Sequence, residues 1–300
     1  MPDSALTTPQ MRLPAPRDAL ALTKPVTWFP PMWAFLCGAV SSGQPLGSDW
    51  PLLVAGVVLT GPLVCGTSQI INDWCDRHVD AINEPGRPIP SGRVPGRWPV
   101  GMALVGAALS LALGAALGSW AFWATCAALF CGWAYSSPPL RFKRSGWTGP
   151  LVCALSYEGL AWFTGAAVLL AAAPPLPVLA VLLLYSLGAH GIMTLNDFKA
   201  VAGDRATGLR SLPVTLGVRG AAVLACAVMA LAQVAVIAVL AALALWPSAA
   251  MVALLLAVQL GCMARLVRDP ARLAPWYNAT GVSLFVLGML AAALGLGGYL

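Results

Sequence analysis

The chain has 300 residues, of which 59% are apolar and only 9% are charged, whereas a soluble domain has about 25% charged residues. This small number of charges cannot cover a water-facing surface. The composition therefore excludes a soluble enzyme and predicts an integral membrane protein. The net charge of +6 lies in the segments between apolar stretches, so it does not indicate nucleic-acid binding. The eight cysteines are scattered without C-x-x-C spacing and are expected to be small buried side chains.

Nine stretches are nearly free of charge and long enough to cross a bilayer as helices. The predicted spans are 26–42, 51–71, 98–118, 120–137, 148–171, 175–195, 219–243, 248–266 and 276–298. Residues 1–25 form a polar, Pro-containing arm that lacks the apolar core of a signal peptide. We therefore expect an all-α, polytopic membrane protein in which one nine-helix domain, 26–300, follows this arm.

The charges of the loops orient the predicted bundle. All 17 Lys and Arg residues lie in or beside the N-terminal arm and the loops on its side, while the opposite loops carry only Asp49. Positively charged loops stay in the cytoplasm during insertion. The pattern predicts a cytoplasmic N-terminus, with the C-terminus on the far side of the lipid bilayer.

A first acidic motif begins at Asn72, where the second predicted span ends. Asp73, Asp76 and Asp80 stand at i, i+3 and i+7, so they share one face if the helix continues. Like charges at this spacing repel and favour a cation between them. Mg²⁺ suits carboxylate oxygens and completes its shell with water or a substrate phosphate. The alternative is a solvated acidic helix end.

A second acidic motif follows the sixth predicted span on the same side of the membrane. Asn196 and Asp197 repeat the Asn-Asp start, and Asp204 follows seven residues after Asp197. The repetition favours two facing halves of one site that holds two Mg²⁺ ions across a diphosphate. The predicted catalytic and metal-binding residues are Asp73, Asp76, Asp80, Asp197 and Asp204.

Basic residues accompany both motifs, and Arg makes bidentate contacts to phosphate. The predicted diphosphate contacts are Asn72, Arg77, Arg87, Arg93, Arg141, Lys143, Arg144, Asn196, Lys199 and Arg205. For each cation, the alternative is the charge bias of cytoplasmic loops. The Pro- and Gly-rich segment 84–93 is predicted to form a rigid lid.

Several motifs resemble those of the UbiA superfamily of intramembrane prenyltransferases. Asn72 to Asp80 matches its N-D-x-x-D-x-x-x-D pattern, 87–92 its R-P-[IL]-P-S-G run, and 135–144 its Y-S-x-P-P-x-x-x-K-R loop. Further stretches are similar to the chlorophyll and bacteriochlorophyll synthase branch. They are 24–35, 156–160, 195–199 and 203–214.

This resemblance implies a UbiA-like helical bundle that transfers a prenyl group with Mg²⁺ as cofactor. The implied donor is geranylgeranyl or phytyl diphosphate, and the acceptor is the propionate carboxylate of bacteriochlorophyllide. The implied location is the cell inner membrane or an intracytoplasmic photosynthetic membrane, with the active site on the cytoplasmic side. Ala202 departs from the pattern, because the family usually carries Glu there.

The candidates for acceptor binding are Trp28, Trp33, Tyr135, Glu158 and His190. Trp28 and Trp33 suit stacking on a flat tetrapyrrole, or an interfacial aromatic belt. Glu158 lies deep in a predicted span, where an ionisable group is costly. It is expected either to line the acceptor cavity or to be hydrogen-bonded within the bundle. His190 ligates the central metal of the macrocycle or packs as an ordinary imidazole.

Other functions were weighed against this one. The same chemistry could prenylate a quinone precursor or haem. A transporter or a pigment-binding protein is the alternative of another class. A transporter is expected to carry charges at mid-membrane, whereas here Glu158 is the only deep carboxylate and the other charges gather at one face.

Overall fold

A computed structural model describes residues 13–300 as an all-helical bundle preceded by a short helix, α1, at Pro16–Leu22. The bundle helices are α2 Phe29–Ser41, α3 Trp50–Asn83, α4 Trp98–Ala116, α5 Ser119–Ser136, α6 Thr148–Leu170, α7 Leu176–Thr207, α8 Leu212–Ala242, α9 Trp246–Leu266 and α10 Pro270–Leu296. They form a closed arrangement in which α2 packs on α6, α7 on α8, and α10 returns to α2. The predicted all-α polytopic fold is confirmed.

Seven of the described helices, α3, α4 and α6 to α10, are long and apolar enough to cross a membrane. The other two bundle helices fall short of that criterion. Helix α2 has 13 residues and so spans about 20 Å, less than the roughly 30 Å of a hydrocarbon core. Helix α5 has 18 residues but mixes Trp, Ser and Tyr with its apolar side chains. Length and composition therefore support seven of the nine predicted spans.

Helix boundaries near the acidic motifs differ from the predicted ones. Helix α3 continues through the first acidic motif to Asn83, because ion pairs hold its carboxylates. Helix α7 passes through a 3₁₀ turn at Asp197–Ala200 before it ends. Helix α8 starts at Leu212 but is broken at Gly217, whose φ of 73° is left-handed. Its regular part therefore begins where the sequence predicted.

Two bundle helices contain π-helical segments that the sequence did not predict. They are Leu59–Cys65 within α3 and Leu155–Leu160 within α6. Pro62 lies inside the first segment and has no amide hydrogen to donate, so regular α-helical pairing is interrupted there. Segments of this kind occur frequently at functional sites.

Helices α2 and α6 approach so closely that their backbones touch. A methyl group at Gly38 would overlap the carbonyl oxygen of Trp162, and one at Gly165 would overlap that of Phe35. Small residues permit this approach between helices in a membrane. The contact fixes the backbone of α2 beside the interior of the bundle.

Candidate active site

The first acidic motif lies on one face of α3, as its spacing predicted, and its carboxylates are paired with cations. Arg87 Nη1 lies 2.8 Å from Asp80 and 3.4 Å from Asp73. Lys143 Nζ donates to Asp76 at 2.6 Å. Asp73 is 2% exposed and Asp80 is 7% exposed. Carboxylates buried to this degree require such partners, because an unpaired buried charge is costly.

Arg87 reaches the motif from the turn-rich segment that follows α3. Its guanidinium also donates two hydrogen bonds of 2.7 Å to Glu84. Burial opposes its charge, but the hydrogen bond to Glu84 and the nearby carboxylates raise the pKa of Arg87 above its usual value. The same hydrogen bond lowers the pKa of the Glu84 carboxyl. Arg87 is therefore a permanently charged group fixed at the motif.

The N-terminal arm supplies a cation that the sequence analysis did not place at the site. Lys24 Nζ lies 2.6 Å from Asp73. Helix α1 holds this residue in position, since Leu22 is fully buried and Asp18 pairs with Arg93 at 2.9 Å. The position of Lys24 just before the predicted first span was the available signal. The described part of the arm thus packs on the site.

The loop between α5 and α6 is tied to the start of α8. The amide of Gly146 donates to Arg210 at 2.9 Å, and the amide of Arg210 donates to Arg144 at 3.2 Å. Within this loop the side chain of Lys143 is 8% exposed. Arg141 lies 3.6 Å from Asp76, the partner of Lys143. The loop thus holds two cations against the first motif.

The structure brings residues of the two acidic motifs around one cavity of about 170 Å³. Asn72 and Asp76 line it from α3, Asp197 and Asp204 from α7, and Lys143 from the loop. Among residues 13–300, no three acidic or thiol or imidazole side chains converge to hold an ion by themselves. Mg²⁺ does not require that, because it usually binds one or two carboxylates and takes substrate phosphates and water as further ligands. The oxygen donors present here fit that mode of binding.

Other predicted diphosphate contacts lie away from this cavity. Arg77 donates to the carbonyl of Trp74 at 2.6 Å and covers its ring at 4.1 Å. Arg93 is held by Asp18 and by the carbonyl of Gly86. Arg144 and Arg205 are exposed on the surface. The structure therefore does not bring these four arginines to the acidic motifs.

Two residues of the second motif need separate mention. Asn196 is exposed and accepts a hydrogen bond of 3.2 Å from Asn278 of α10. Ala202 is exposed and does not line the cavity. A longer acidic side chain at this position would therefore start from the protein surface rather than from the cavity wall.

Two further cavities continue from the first into the bundle. The second has a volume of about 350 Å³ and shares Asn72, Tyr135 and Asp197 with the first; Lys199 also lines it. The third is a narrow space of about 30 Å³ and shares Tyr157, among other residues, with the second. The first two cavities have charged and polar side chains in their linings, whereas the lining of the third is uncharged and mainly apolar. The three cavities thus describe a channel from the acidic motifs into the membrane interior.

The candidates for acceptor binding do not all reach this channel. Tyr135 lines its first two cavities. The indole of Trp28 donates to Thr23 at 3.0 Å, and that of Trp33 donates to Val286 of α10 at 3.1 Å. Both tryptophans therefore take part in packing around the start of α2.

Glu158 and His190 lie outside the lining of the channel. Glu158 is 4% exposed within the π-helical segment of α6. His190 lies beside Trp147, with ring centroids 6.0 Å apart. The rings of Trp147 and His190 both line an open apolar groove of about 490 Å³ formed by α6, α7 and α8. The structure thus separates His190 from the acidic motifs.

A helical membrane bundle whose charged site opens into an apolar channel is the arrangement of an enzyme that acts on an anionic head group with an apolar tail. The UbiA prenyltransferase family model matches residues 28–286. The chain belongs to the UbiA prenyltransferase family and is a membrane prenyltransferase.

Relatives with assigned activities match over nearly the whole chain. The chain is 58% identical to the bacteriochlorophyll synthase 33 kDa chain of Cereibacter sphaeroides over 95% of both proteins. It is 46% identical to the 34 kDa chain of Chloroflexus aurantiacus, covering 96% of this chain and 93% of that one. Identity to the chloroplastic chlorophyll synthase of Avena sativa is 36%, over 92% of this chain and 75% of that one.

Solved structures share the fold. A digeranylgeranylglyceryl phosphate synthase superposes with a TM-score of 0.71 at 20% identity, covering 93% of this chain and 98% of that one. A UbiA homologue from Archaeoglobus fulgidus bound to DMAPP and Mg²⁺ superposes with a TM-score of 0.69 at 20% identity, covering 92% and 99%. The helical arrangement described above is therefore that of the family.

Proposed function

We propose that the protein transfers a geranylgeranyl or phytyl group from its diphosphate to the propionate carboxylate of bacteriochlorophyllide. The observation that carries the proposal is the charged cavity between the two acidic motifs, which continues into an apolar channel. Such a space matches a diphosphate joined to a hydrocarbon tail. The identity of 58% to a bacteriochlorophyll synthase supports the choice of acceptor.

The diphosphate would be bound where cations and carboxylates now pair. Arg87 and Lys143 would turn from Asp80 and Asp76 toward phosphate oxygens, and Lys24 is close enough to Asp73 to join them. Mg²⁺, held by the aspartates of both motifs, would supply the positive charge that stabilises the departing diphosphate. Fixed cations in a partly buried site stabilise developing negative charge better than water does.

The reaction would break the allylic carbon–oxygen bond of the donor and form an ester bond to the acceptor. The tail lies in the apolar channel, whose buried walls keep water away from the cationic carbon. The acceptor carboxylate, with a pKa of about 4–5, is ionised at neutral pH, so no strong base is needed to activate it. The diphosphate leaves with the charge that the cations neutralise.

The proposal includes nine membrane crossings, with the N-terminus and the site in the cytoplasm. The distribution of the 17 Lys and Arg residues on one side supports it. An even number of crossings would put both ends on one side, whereas the chain's charged start and uncharged end favour opposite sides. Helices α2 and α5 would then cross with help from flanking segments such as the 3₁₀ turn Pro25–Thr27.

The test replaces Asp76 by Asn in the full-length protein, purified in lipid nanodiscs. With Mg²⁺, geranylgeranyl diphosphate and bacteriochlorophyllide, we expect ester formation to fall at least about 100-fold, since a group that organises charge at the reaction centre is lost. Asp269→Asn, on the exposed N-cap of α10, is the control and should keep normal activity. Product masses identify the ester.

Two results would contradict the proposal. Asp76→Asn with unchanged rate and unchanged Mg²⁺ dependence would remove the acidic motif from the reaction. A wild-type protein that prenylates only a phenolic quinone precursor or haem would assign another acceptor. Competition between geranylgeranyl and phytyl diphosphate in the same assay identifies the preferred donor.

A further inference from the structure

The deepest part of the channel is surrounded by four helices. Its lining includes Pro31 of α2, Thr60 of α3, Thr125 of α5 and Thr164 of α6. Helices α2 and α6 run away from the acidic motifs, whereas α3 and α5 run toward them. The next turn beyond the channel is therefore found at higher residue numbers on α2 and α6 and at lower numbers on α3 and α5.

One helical turn further on, each of these helices contributes a residue to a packed layer. The positions four residues away are Phe35, Gly56, Ala121 and Val168. Phe35, Ala121 and Val168 form one hydrophobic cluster, and Phe35 is fully buried. A methyl group added at Gly56 would overlap the ring of Phe35, so the ring lies directly against α3. This layer lies directly beyond the deep end of the channel.

Phe35 is the one large residue among these four positions, and it cannot easily move. Its carbonyl oxygen touches Gly165 of α6, which fixes the backbone. Its ring is pressed against Gly56, which leaves no space on that side. Densely packed interiors resist the insertion of further carbon atoms. The ring is therefore held rigidly one helical turn beyond the deep end of the channel.

The walls next to this layer suit a hydrocarbon chain. The hydroxyls of Thr60, Thr125 and Thr164 each donate to a carbonyl oxygen four residues earlier on their own helix, at 2.9, 2.8 and 2.7 Å. Each hydroxyl is thus satisfied without a partner in the channel. An apolar tail can pass these residues without leaving a buried polar group unpaired.

The geometry points to Phe35 as the residue that limits the length of the prenyl donor. This inference rests on the proposed function, because it assumes that the channel holds the prenyl tail. From Asn72 at the charged end to Thr60 at the deep end, α3 covers about 18 Å at about 1.5 Å per residue. A donor longer than this space must press against Phe35, whereas a shorter one does not reach it.

The experiment compares two donors in the full-length protein with bacteriochlorophyllide as acceptor. They are geranylgeranyl diphosphate and the homologue that is one isoprene unit longer, and ester products are quantified by mass spectrometry. In Phe35→Ala, we expect the ratio of kcat/KM for the longer donor to that for geranylgeranyl diphosphate to rise about tenfold or more, because pocket contacts of this size discriminate by that amount.

A matched control separates this effect from general loosening of the core. Phe285 is also fully buried, and its ring packs edge-on to Tyr185 at 5.1 Å, away from the channel. In Phe285→Ala, stability should fall while the donor ratio stays as in wild type. An equal rise of the ratio in both variants would overturn the assignment of Phe35.

If Phe35→Ala does not fold, Phe35→Leu tests the same position, and a filling variant tests whether the tail reaches this end of the channel. Ala124 lines the channel beside Thr125. In Ala124→Leu, use of geranylgeranyl diphosphate should fall about tenfold relative to farnesyl diphosphate. Active variants whose donor ratios match wild type would overturn the role of Phe35. Wild-type protein that forms no prenyl ester with any donor would instead contradict the proposed function.

Discussion

At the scale of single residues, the site holds its cations in place through carboxylates. Arg87 pairs with Asp80, and Lys143 pairs with Asp76. Removing one partner of such a buried pair leaves an uncompensated charge, which destabilises the fold. Lys143 lines the cavity of the two acidic motifs, and Arg87 is tied to the same helix through Asp73 and Asp80. Their geometry, and not only their charge, should therefore matter for the binding of the donor.

Arg87→Lys tests this expectation because it keeps the charge and removes the planar fork. Lys cannot reach Asp73, Asp80 and Glu84 together. We expect KM for the prenyl diphosphate to rise about tenfold, which corresponds to about 1.4 kcal/mol. Steady-state kinetics in nanodiscs measure it. The exposed Arg268→Lys serves as control, and equal KM values in both variants would contradict the role of Arg87.

At the scale of elements, α1 places Lys24 at the first acidic motif. It is only 7 residues long and is not stable alone. The buried side chain of Leu22, which packs in a cluster with Ile70 and Ile71 of α3, holds it against the bundle. The ion pair between Asp18 and Arg93 joins it to the segment after α3. The arm is therefore part of the site's structure.

Leu22→Ala should detach this element. Loss of a fully buried leucine costs about 2–5 kcal/mol, and the local opening exposes the peptide bond after Arg17 within α1. We expect faster trypsin cleavage after Arg17, with the fragments identified by mass spectrometry. Leu20→Ala on the same helix removes a side chain that is 52% exposed. Trypsin should therefore cleave this variant at the wild-type rate. Equal cleavage rates in the two variants would mean that Leu22 does not anchor the arm.

The contact between α2 and α6 depends on glycine. Gly165→Ala should lower the free energy of unfolding by about 1–3 kcal/mol, because the added methyl group would overlap the backbone of Phe35. Gly261 of α9 has open space around it, so Gly261→Ala should be neutral or stabilise by up to about 1 kcal/mol through helix propensity. Thermal denaturation in detergent, followed by size-exclusion chromatography, compares them. Equal stabilities of the two variants would show that the close contact between α2 and α6 does not contribute to stability.

At the scale of the whole molecule, the bundle keeps its charges at one end and its apolar channel in the middle. This arrangement lets a water-soluble head group and a lipid-soluble tail be bound by one protein. The distribution of Lys and Arg supports the proposed orientation, in which the charged end of the bundle faces the cytoplasm. The head group of the donor would therefore be taken from the cytoplasmic side.

Cysteine labelling measures this orientation. Gly47 and Arg268 are exposed at opposite ends of the bundle, and the eight native cysteines are buried or half-buried. In intact spheroplasts, a membrane-impermeant maleimide should label Gly47→Cys and should leave Arg268→Cys unlabelled until the cells are broken. The reverse pattern would overturn the proposed orientation. Labelling of the unsubstituted protein sets the background.

Local patterns predicted much of the fold and part of the candidate site. The apolar runs and charged loops located the bundle helices, because burial in lipid depends on composition alone. The i, i+3, i+7 spacing placed Asp73, Asp76 and Asp80 on one face, because helical periodicity is local. The sequence did not separate Arg77, which turns to Trp74, from Arg87, which reaches the carboxylates. Side-chain direction depends on neighbours that are distant in the chain.

The sequence by itself determined a membrane helix bundle with two acidic motifs and a cationic face, since hydropathy, charge and helical periodicity act over short stretches of chain. Only the tertiary structure decided that Lys24 meets Asp73 and that the motifs share one cavity. It also decided that the ring of Phe35 packs against Gly56. These contacts join residues of different helices, and close packing of the whole bundle decides which side chains touch.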